Sequence, residues 1–294
     1  MPADTDRDGN PLRLLLVHAH PDDETSTTGV TIARYRRLGV PVTLVTCTRG
    51  ERGENALATE GDPTDPEKLG ELRAAELFGA AAELGLHDIR FLGGAGRWWD
   101  SGMADARVSH HRAFAEGDLA EQTAQLVPVI RETRPQVVIT YDDNGGYGHP
   151  DHIRAHQATV AAIDAAANPS EYPLAGRPWS VAKLYAPAIP RSAFQTVAEY
   201  LPPPEDGVRS VAEDRPFGVP DELVVARIDA PELADAKVAA MRAHRTQLGV
   251  NAWFFELAKV PFRPLGVEFF QILRGTPAPP APGEPEHDLF AGLT

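Results

Sequence analysis

The sequence contains one cysteine, few lysines and no long apolar run, and each scarcity excludes a class of protein or site. Cys47 alone allows neither an internal disulfide nor a zinc site built from several cysteines. The 42 acidic residues outnumber the 28 basic ones, only four of which are lysine, and the net charge is −14. We therefore expect no nucleic-acid partner and no anionic membrane partner. A transmembrane helix needs about 18 or more consecutive apolar residues, and the sequence has no such run.

Length and composition bound the organisation of the chain. With 294 residues, 43% of them hydrophobic, the chain can bury a substantial core in one large α/β domain or two small ones. No internal repeat or clear boundary is visible, so a single domain over residues 1–294 is predicted. Within it we distinguish a core of about residues 11–190, a C-terminal region of about 191–274 and a proline-rich tail, 275–294. The sequence does not indicate an oligomeric state.

The N-terminus and the lone cysteine give two smaller expectations. The first ten residues, MPADTDRDGN, are polar and acidic and lack the basic and apolar regions of a signal peptide, which predicts a cytoplasmic protein. Cys47 ends the apolar run VTLVTC, and we interpret it as a buried structural thiol rather than a nucleophile.

Apolar β-type segments alternate with helical patterns over residues 12–186. The predicted strands are 12–17, 42–46, 89–92, 136–141, 181–186 and 223–228. The predicted helices are 28–38, 67–84, 119–131, 151–167 and 231–245. The alternation predicts an α/β fold with a mostly parallel, Rossmann-like sheet and helices on both faces, plus a smaller C-terminal α+β region packed on it. The apolar segment LFAGL, 289–293, is predicted to dock back on the body.

Two clusters of metal-ligand and ionisable residues each follow an apolar strand. The first, His20-Pro21-Asp22-Asp23, ends the run LLLVHA, and its spacing lets His20 and Asp23 converge while Asp22 projects beside them. The second, YDDNGGYGHPDH, follows QVVIT and ends in His149-Pro150-Asp151-His152. Because ligands bind beyond the carboxyl ends of parallel strands, both clusters should meet at one edge of the sheet. Together they offer two imidazoles and a carboxylate to one ion with a position left open, as in catalytic zinc sites.

Either cluster alone has a simpler interpretation as a helix entry with an aspartate as N-cap. Two such turns after two apolar strands favour the metal site. Two histidines and a carboxylate also form the facial triad of non-haem iron oxygenases, but those enzymes need no acid–base groups beside the metal. A sugar- or nucleotide-binding protein without catalysis is a further alternative, although the glycines of GGAGRWWDSG lack the spacing of a dinucleotide fingerprint.

The motifs AHPDDE and GYGHPDH resemble those of the metal-dependent sugar N-deacetylases of the LmbE-like, or PIG-L-like, superfamily. The resemblance extends through VTCTRGERGE, RAAEL, LGGAGRWWDSGM and AAMRAHRTQ and so covers nearly the whole chain. Within the superfamily the set is most similar to the deacetylases of mycothiol biosynthesis. Their substrate is a small pseudodisaccharide, N-acetylglucosaminyl-inositol, and they remove its acetyl group.

The resemblance implies roles for individual residues. It makes His20, Asp23 and His152 the ligands of one ion, Zn²⁺ or Fe²⁺, and Asp22 the general base that later protonates the leaving amine. The remaining catalytic positions that it implies are His149 and Tyr147 facing the developing oxyanion, and Asp151 orienting His149. The substrate-binding positions that it implies are Arg73, Asp100, Ser101, Met103, Glu54 and Trp98.

A related activity remains open at this point. The loop CTRGERGEN, with Arg49 and Arg52, is similar to that of the mycothiol S-conjugate amidases, which cleave a neighbouring amide of a larger substrate. His244 and Gln247, in AAMRAHRTQ, are interpreted as structural residues or as residues that support the site from behind.

Overall fold

The computed structural model describes residues 5–58, 65–103, 110–198, 218–248, 254–260 and 263–294. Over these residues one sheet contains seven strands, β1 (Leu14–His18), β2 (Val42–Thr46), β3 (Asp88–Phe91), β4 (Val137–Ile139), β5 (Lys183–Pro187), β6 (Ala226–Asp229) and β7 (Val267–Arg274). Their order is β3-β2-β1-β4-β5-β7-β6. The pairs from β3 through β5 are parallel, whereas β7 is antiparallel to both β5 and β6.

Helices connect the strands and cover both faces. The longer ones are α1 (Asp23–Arg37), α2 (Pro66–Glu83), α3 (Leu119–Thr133), α5 (Pro150–Ala167), α6 (Arg191–Ala198) and α7 (Ala234–Ala243). Single-turn helices are α4 (Gly145–Gly148), α8 (Arg245–Leu248) and α9 (Phe254–Leu257). Short 3-10 turns lie at Phe114–Glu116, Asp221–Leu223, Pro231–Leu233 and Pro264–Gly266. No helix within the described ranges is long and apolar enough to cross a membrane.

The core divides into two layers because side chains of a strand alternate between the faces of the sheet. Leu14 and Leu16 of β1 belong to the apolar cluster that includes residues of α1, α2 and α7. Leu15 and Val17 belong to the opposite cluster, with α3 and α5. All four are buried, so β1 runs through the centre of the molecule. The predicted α/β sheet with helices on both faces is confirmed.

The C-terminal region differs from its predicted form. Its strands do not build a separate region on the sheet but extend the same sheet by two antiparallel strands. No strand was predicted at β7, because Glu268 occupies one of its buried positions and interrupts the apolar pattern. Glu268 accepts from the backbone N–H groups of Val30 and Thr31 and pairs with Lys237 at 2.7 Å. A buried carboxylate with these partners is a satisfied core group.

Helix α1 also begins earlier than predicted, at Asp23 rather than at residue 28. The polar run DETSTT reads as a loop, but the hydroxyl groups of Thr27 and Thr28 donate to the carbonyls of Asp23 and Glu24 within the first turns. The HPDD cluster therefore leads directly into a helix.

The last residues pack into the body. Leu289 and Phe290 are fully buried, and the Phe290 ring meets Tyr35 edge to face with centroids 5.2 Å apart. The proline-rich segment before them contains no helix or strand among its described residues, and Glu286 ties it to the sheet. The docking expected of LFAGL is observed for Leu289 and Phe290.

Candidate metal centre and active site

The two motif turns lie side by side at the carboxyl edge of the sheet. Strands β1 and β4 are parallel neighbours. The HPDD turn begins two residues after β1 ends, and the segment YDDNGGYGHPDH begins two residues after β4 ends. The rings of His20 and His152 lie 5.2 Å apart, although 132 positions separate them in the chain. The parallel arrangement of the strands thus places both clusters where the sequence predicted them to meet.

Three ligand-type groups converge between the turns. Nδ1 of His20 lies 3.3 Å from Nε2 of His152, and the Asp23 carboxylate oxygens lie 3.6 Å and 3.5 Å from these two nitrogens. Ligands held about 2.1 Å from a tetrahedral ion are themselves about 3.4 Å apart. The spacing of the three groups therefore fits a single small divalent cation.

Hydrogen bonds on the far sides of the rings set their orientation. Nδ1 of His152 donates to the carbonyl of Gly145 at 3.1 Å, which leaves Nε2 with its lone pair toward His20. Nε2 of His20 lies 3.2 Å from Asp151 Oδ2 and donates to it, which leaves Nδ1 toward His152. Two lone pairs and a carboxylate facing one another repel unless a cation, or a proton, lies between them. Carboxylate–histidine pairing of this kind is the usual support of metal-bound imidazoles.

The approach of Gly145 to His152 requires glycine. Gly145 has φ +66, a conformation that L side chains rarely adopt, and a Cβ there would lie 2.7 Å from the Cβ of His152. The glycine-rich loop therefore brings a backbone carbonyl against the imidazole.

The electrostatic surroundings favour positive charge at this point. Burial opposes protonation of His20, but the carboxylates of Asp100, Asp151 and Asp23 outweigh it and raise its pKa well above the usual value. Burial lowers the pKa of His152 to about 3, so this ring is neutral, as a metal ligand must be. Burial also opposes ionisation of Asp23, yet the two histidines hold the pKa of that carboxyl well below its ordinary range.

Two further groups of ligand atoms share His20. One nitrogen from each of His20, His149 and His152 lies within 4.8 Å of the others, and so do atoms of His20, Asp100 and Asp151. In the second group Asp151 already accepts from the Ser101 N–H at 2.8 Å and from the Ala115 N–H at 3.1 Å. We therefore interpret that group as the support of His20, and the set with Asp23 as the better cation site.

Asp22 lies beside the three converging groups in a strained conformation. Its φ of 112° is in the left-handed region, which costs a non-glycine residue on the order of 1–3 kcal/mol. Its side chain is 24% exposed, and Arg73 lies 3.3 Å from one carboxylate oxygen. Burial raises the pKa of Asp22 to about 6, although the Arg73 guanidinium opposes the rise. A carboxylate with this pKa is suited to accept and return a proton near neutral pH.

His149 and Tyr147 lie beside the rings of His20 and His152. His149 caps α5, and its Nδ1 accepts the Asp151 N–H at 3.1 Å, so in the neutral ring the proton is on Nε2. Burial and the neighbouring His20 lower the pKa of His149, which keeps the ring neutral. Tyr147 is 59% exposed, and its ring centroid lies 5.0 Å from that of His152.

Asp151 differs from its expected role. Its carboxylate bonds His20 rather than His149, and only its backbone N–H contacts His149. Ser101, expected to contact substrate, is buried, and its hydroxyl accepts the Ala115 N–H while its own N–H supports Asp151. Asp100 is also buried, with one carboxylate oxygen 3.7 Å from His20.

Of three other residues predicted to contact substrate, two are buried and one is exposed. Trp98 is 2% exposed, and its indole N–H donates to Gln125 at 2.7 Å, so its ring is a core group and the predicted sugar contact is corrected. Arg73 is buried and donates to the carbonyls of Gly50 and Pro21, so it holds the HPDD turn rather than lining an open pocket. Met103 is 42% exposed, at the end of a described range.

Glu54, the last of the predicted substrate contacts, has an exposed side chain, and its backbone carbonyl accepts from Gln247 at 2.9 Å. Arg49 pairs with both Glu51 and Glu67. Its guanidinium is therefore engaged within the protein. Cys47 is buried, and burial raises its thiol pKa, as expected of a structural cysteine.

The sequence analysis missed Tyr141 and Glu24, which both contact the site. The Tyr141 hydroxyl donates to Asp23 Oδ2 at 2.7 Å and accepts the Ala19 N–H, and its ring stacks on His152 with centroids 4.1 Å apart. Glu24 accepts the Asp22 N–H at 2.9 Å and bonds His244. Tyr141 follows β4 by two residues, so the strand-end rule that located the histidines was also a signal for it.

The fold and the two strand-end turns define an α/β protein with a candidate metal site of the hydrolase type, and comparison with known proteins identifies its family. A family profile described as PIG-L, GlcNAc-PI de-N-acetylase, matches residues 15–163. A protein of Catenulispora acidiphila named 1D-myo-inositol 2-acetamido-2-deoxy-alpha-D-glucopyranoside deacetylase 3 is 51% identical, covering 98% of this chain and 88% of its own. A protein of Acidothermus cellulolyticus named as a deacetylase of the same compound is 48% identical, covering 95% of this chain and 94% of its own. The chain belongs to the PIG-L family.

Solved structures share the fold. N,N'-diacetylchitobiose deacetylase of Pyrococcus horikoshii has a TM-score of 0.60 at 19% identity, covering 90% of this chain and 84% of its own. A conserved protein of Thermus thermophilus has a TM-score of 0.57 at 25% identity, covering 93% and 99%. Another neighbour, GalB of Pseudomonas putida, is a hydratase, with a TM-score of 0.55 at 21% identity and coverage of 90% and 98%. Because this fold carries more than one reaction, the function must be argued from the site.

Proposed function

We propose that this protein is a metal-dependent deacetylase that removes the acetyl group from N-acetylglucosaminyl-inositol. The observation that carries the proposal is the convergence of His20 Nδ1, His152 Nε2 and the Asp23 carboxylate at 3.3–3.6 Å, with Asp22 beside them. Two relatives that are 51% and 48% identical to this chain, over nearly its full length, are named for this activity. Their names support the same substrate here.

The donor set fits a divalent transition metal. We propose His20, Asp23 and His152 as its protein ligands, since their lone pairs face one point and neutral imidazoles with a carboxylate suit Zn²⁺ and Fe²⁺ alike. When bound, the ion would lower the pKa of a coordinated water to about 7 and polarise the amide carbonyl. The buried carboxylates of Asp100 and Asp151 supply further negative charge around the site.

The side chains around the ion position supply the proton transfers. In the proposed reaction Asp22 takes a proton from the attacking water and returns it to the departing amine, because an unprotonated amine leaves poorly. The Nε2–H of His149 donates to the oxygen that becomes negative as the carbonyl is attacked. We assign the exposed hydroxyl of Tyr147 to the same oxygen. Arg73 keeps the Asp22 carboxylate oriented while that group changes charge.

The decisive experiment is a kinetic comparison on the purified full-length chain loaded with Zn²⁺ or Fe²⁺. Free amine is measured with N-acetylglucosaminyl-inositol and, in parallel, with a mycothiol S-conjugate as substrate. We expect a higher kcat/KM for the former. The engagement of Arg49 by Glu51 and Glu67 supports this order, since one of the two arginines that suggested the larger substrate is already paired within the protein.

The controls separate the class of reaction from the substrate. Asp22→Asn in the same preparation is expected to retain metal but release amine far more slowly. A higher kcat/KM for the S-conjugate would replace the substrate and keep the chemistry. Failure of the metal-loaded protein to release amine from either compound would refute the hydrolase, leaving the sugar-binding alternative. The predicted cytoplasmic location stays a prediction.

A further inference from the structure

A buried pair of side chains links the strained Asp22 to the C-terminal part of the molecule. Glu24 is completely buried in the first turn of α1, two residues after Asp22. One of its carboxylate oxygens accepts the Asp22 N–H at 2.9 Å, and the other lies 2.6 Å from Nε2 of His244. His244 is also completely buried and lies between α7 and α8. Both oxygens of Glu24 therefore have hydrogen-bond partners, one in the HPDD turn and one at His244.

The Asp22 backbone needs these hydrogen bonds, because its φ angle is unfavourable for a residue other than glycine. At φ 112° an aspartate persists only where the surroundings fix it. The peptide group between Pro21 and Asp22 is held at both ends, since Arg73 donates to its carbonyl and Glu24 accepts its N–H. Rotation of this peptide would break both hydrogen bonds and carry the Asp22 carboxylate away from the converging ligand atoms.

We propose that Glu24, held in place by His244, is a positioning residue that fixes the Asp22 backbone and thereby aims the Asp22 carboxylate at the reacting atoms. The proposal rests on the proposed function, because it assigns Asp22 as the general base. It gives a role to the AHRTQ segment, which lies outside residues 15–163 matched by the family profile. The C-terminal part of the chain would then contribute to the rate as well as to the fold.

Charge strengthens the pair. Burial disfavours the charged imidazole, but the Glu24 carboxylate outweighs burial and raises the pKa of His244 above its usual value. Hydrogen bonds between charged partners are shorter and stronger than neutral ones. The carboxylate of Glu24 therefore has little freedom to turn away from Asp22.

The first test is Glu24→Gln, which keeps the size of the side chain and removes its charge. We expect kcat on N-acetylglucosaminyl-inositol to fall about tenfold, as for one weakened charged hydrogen bond, with KM within about twofold of wild type. The bound metal per chain should not change, because the ligand atoms are not touched. An unchanged kcat, or a loss of metal that accounts for the whole decrease, would overturn the positioning role.

Glu268→Gln is a matched control. Like Glu24, Glu268 is buried, accepts backbone N–H groups and pairs with a basic side chain. Its partners are Val30 and Thr31 of α1 and Lys237 of α7. It contacts no residue of the HPDD turn in any described hydrogen bond. It should lower the thermal unfolding temperature at least as much as Glu24→Gln while leaving kcat within about twofold of wild type. Equal decreases in kcat for the two variants would show that Glu24 acts only through stability.

A double-mutant cycle tests whether the effect passes through Asp22. Asp22→Asn removes the base but tolerates the left-handed conformation. If Glu24 acts by aiming Asp22, adding Glu24→Gln to Asp22→Asn should lower the residual kcat less than about twofold. A further decrease of about tenfold would mean that Glu24 acts independently of Asp22 and would refute the proposal.

The last test concerns His244. His244→Gln retains an N–H donor toward Glu24, whereas His244→Leu does not. We expect His244→Gln to keep a several-fold higher kcat than His244→Leu at equal metal content, and equal kcat values would contradict the role of His244. Absence of amine release by the wild-type protein would instead refute the proposed function. Wild-type activity with no effect in these variants would refute the positioning role alone.

Discussion

Two regions of the molecule bury ionisable groups and pair them differently. In the C-terminal part, Lys183 lies 2.5 Å from Glu286, whose other oxygen accepts the Tyr185 hydroxyl, and Lys237 lies 2.7 Å from Glu268. Each of these two buried carboxylates has a cation and further donors. Such groups satisfy one another and hold the tail and β7 in place.

At the carboxyl edge of β1 and β4 the pairing is incomplete. Among the described residues, His20 Nδ1, His152 Nε2 and the Asp23 carboxylate face one another with no positive partner between them other than a proton on His20. Asp22 beside them is held in a strained conformation. The difference teaches that burial of charge does not by itself mark a functional site. A functional site is marked instead by metal-ligand atoms that converge on one point with no lysine or arginine of the described residues between them.

The largest effect in this comparison is expected for Lys183→Met, which leaves the buried Glu286 carboxylate with the Tyr185 hydroxyl and the Ala278 N–H as its donors. Breaking a buried ion pair from one side typically costs about 3–5 kcal/mol, so the free energy of unfolding in urea should fall by that order. The kcat of the protein that stays folded should remain within about twofold. The matched double variant Lys183→Met/Glu286→Gln should regain part of the loss. A cost below about 1 kcal/mol would show that the pair is not structural.

The next effect is expected for Asp22→Asn. Loss of the proposed general acid–base group should lower kcat by about 10²-fold or more, whereas the proposed metal ligands are unchanged. Measuring kcat together with metal per chain tests both halves of this expectation. Turnover at the wild-type rate would mean that another group takes the proton.

A smaller effect is expected for Asp151→Asn, which weakens the partner of the His20 Nε2–H. Loss of a carboxylate behind a metal-bound imidazole typically lowers metal affinity by about 10–100-fold, and chelator competition measures this directly. Asp143→Asn removes one negative charge at an exposed position of the loop between β4 and α4 and should change the affinity less than about twofold. Equal affinities for Asp151→Asn and wild type would favour His149 or Asp100 as ligands instead.

The smallest effect on catalysis is expected for Trp98→Phe. The variant loses the hydrogen bond to Gln125 and some core volume, at a cost of about 1–2 kcal/mol in the free energy of unfolding. Because the indole is buried away from solvent, kcat/KM should stay within about twofold of wild type. A large rise in KM would restore the substrate-binding role that the family resemblance implied for Trp98.

Much of the fold could be predicted because its signals are local. The apolar run of β1 and the alanine-rich α2 follow from composition and periodicity, and their bounds were close to the observed ones. Strand β7 could not be predicted, because the partners of its buried Glu268 come from α1 and α7, which lie 238 and 31 positions away in the chain at Val30 and Lys237. A satisfied carboxylate looks like a surface residue when its partners are unknown.

The candidate site likewise has features that the sequence could predict and features that it could not. His20, Asp22, Asp23 and His152 were predicted because short motifs follow two strands and parallel strands share an edge. The contacts of Asp151 with His20, and of Glu24 with His244, depend on the folded path of the chain. Trp98 was predicted to bind substrate, because a tryptophan beside polar loop residues resembles a sugar contact in the sequence. Its burial shows that the ring belongs to the core.

The buried position of Phe290 has consequences for folding during synthesis. Phe290 belongs to the same apolar cluster as Leu14, so the packing around the first strand of the sheet is completed by a residue far downstream of it in the chain. Until that residue is made, part of one face of the nascent sheet stays exposed to water. Such intermediates are prone to aggregation, and the growing chain is therefore a natural client for ribosome-associated chaperones.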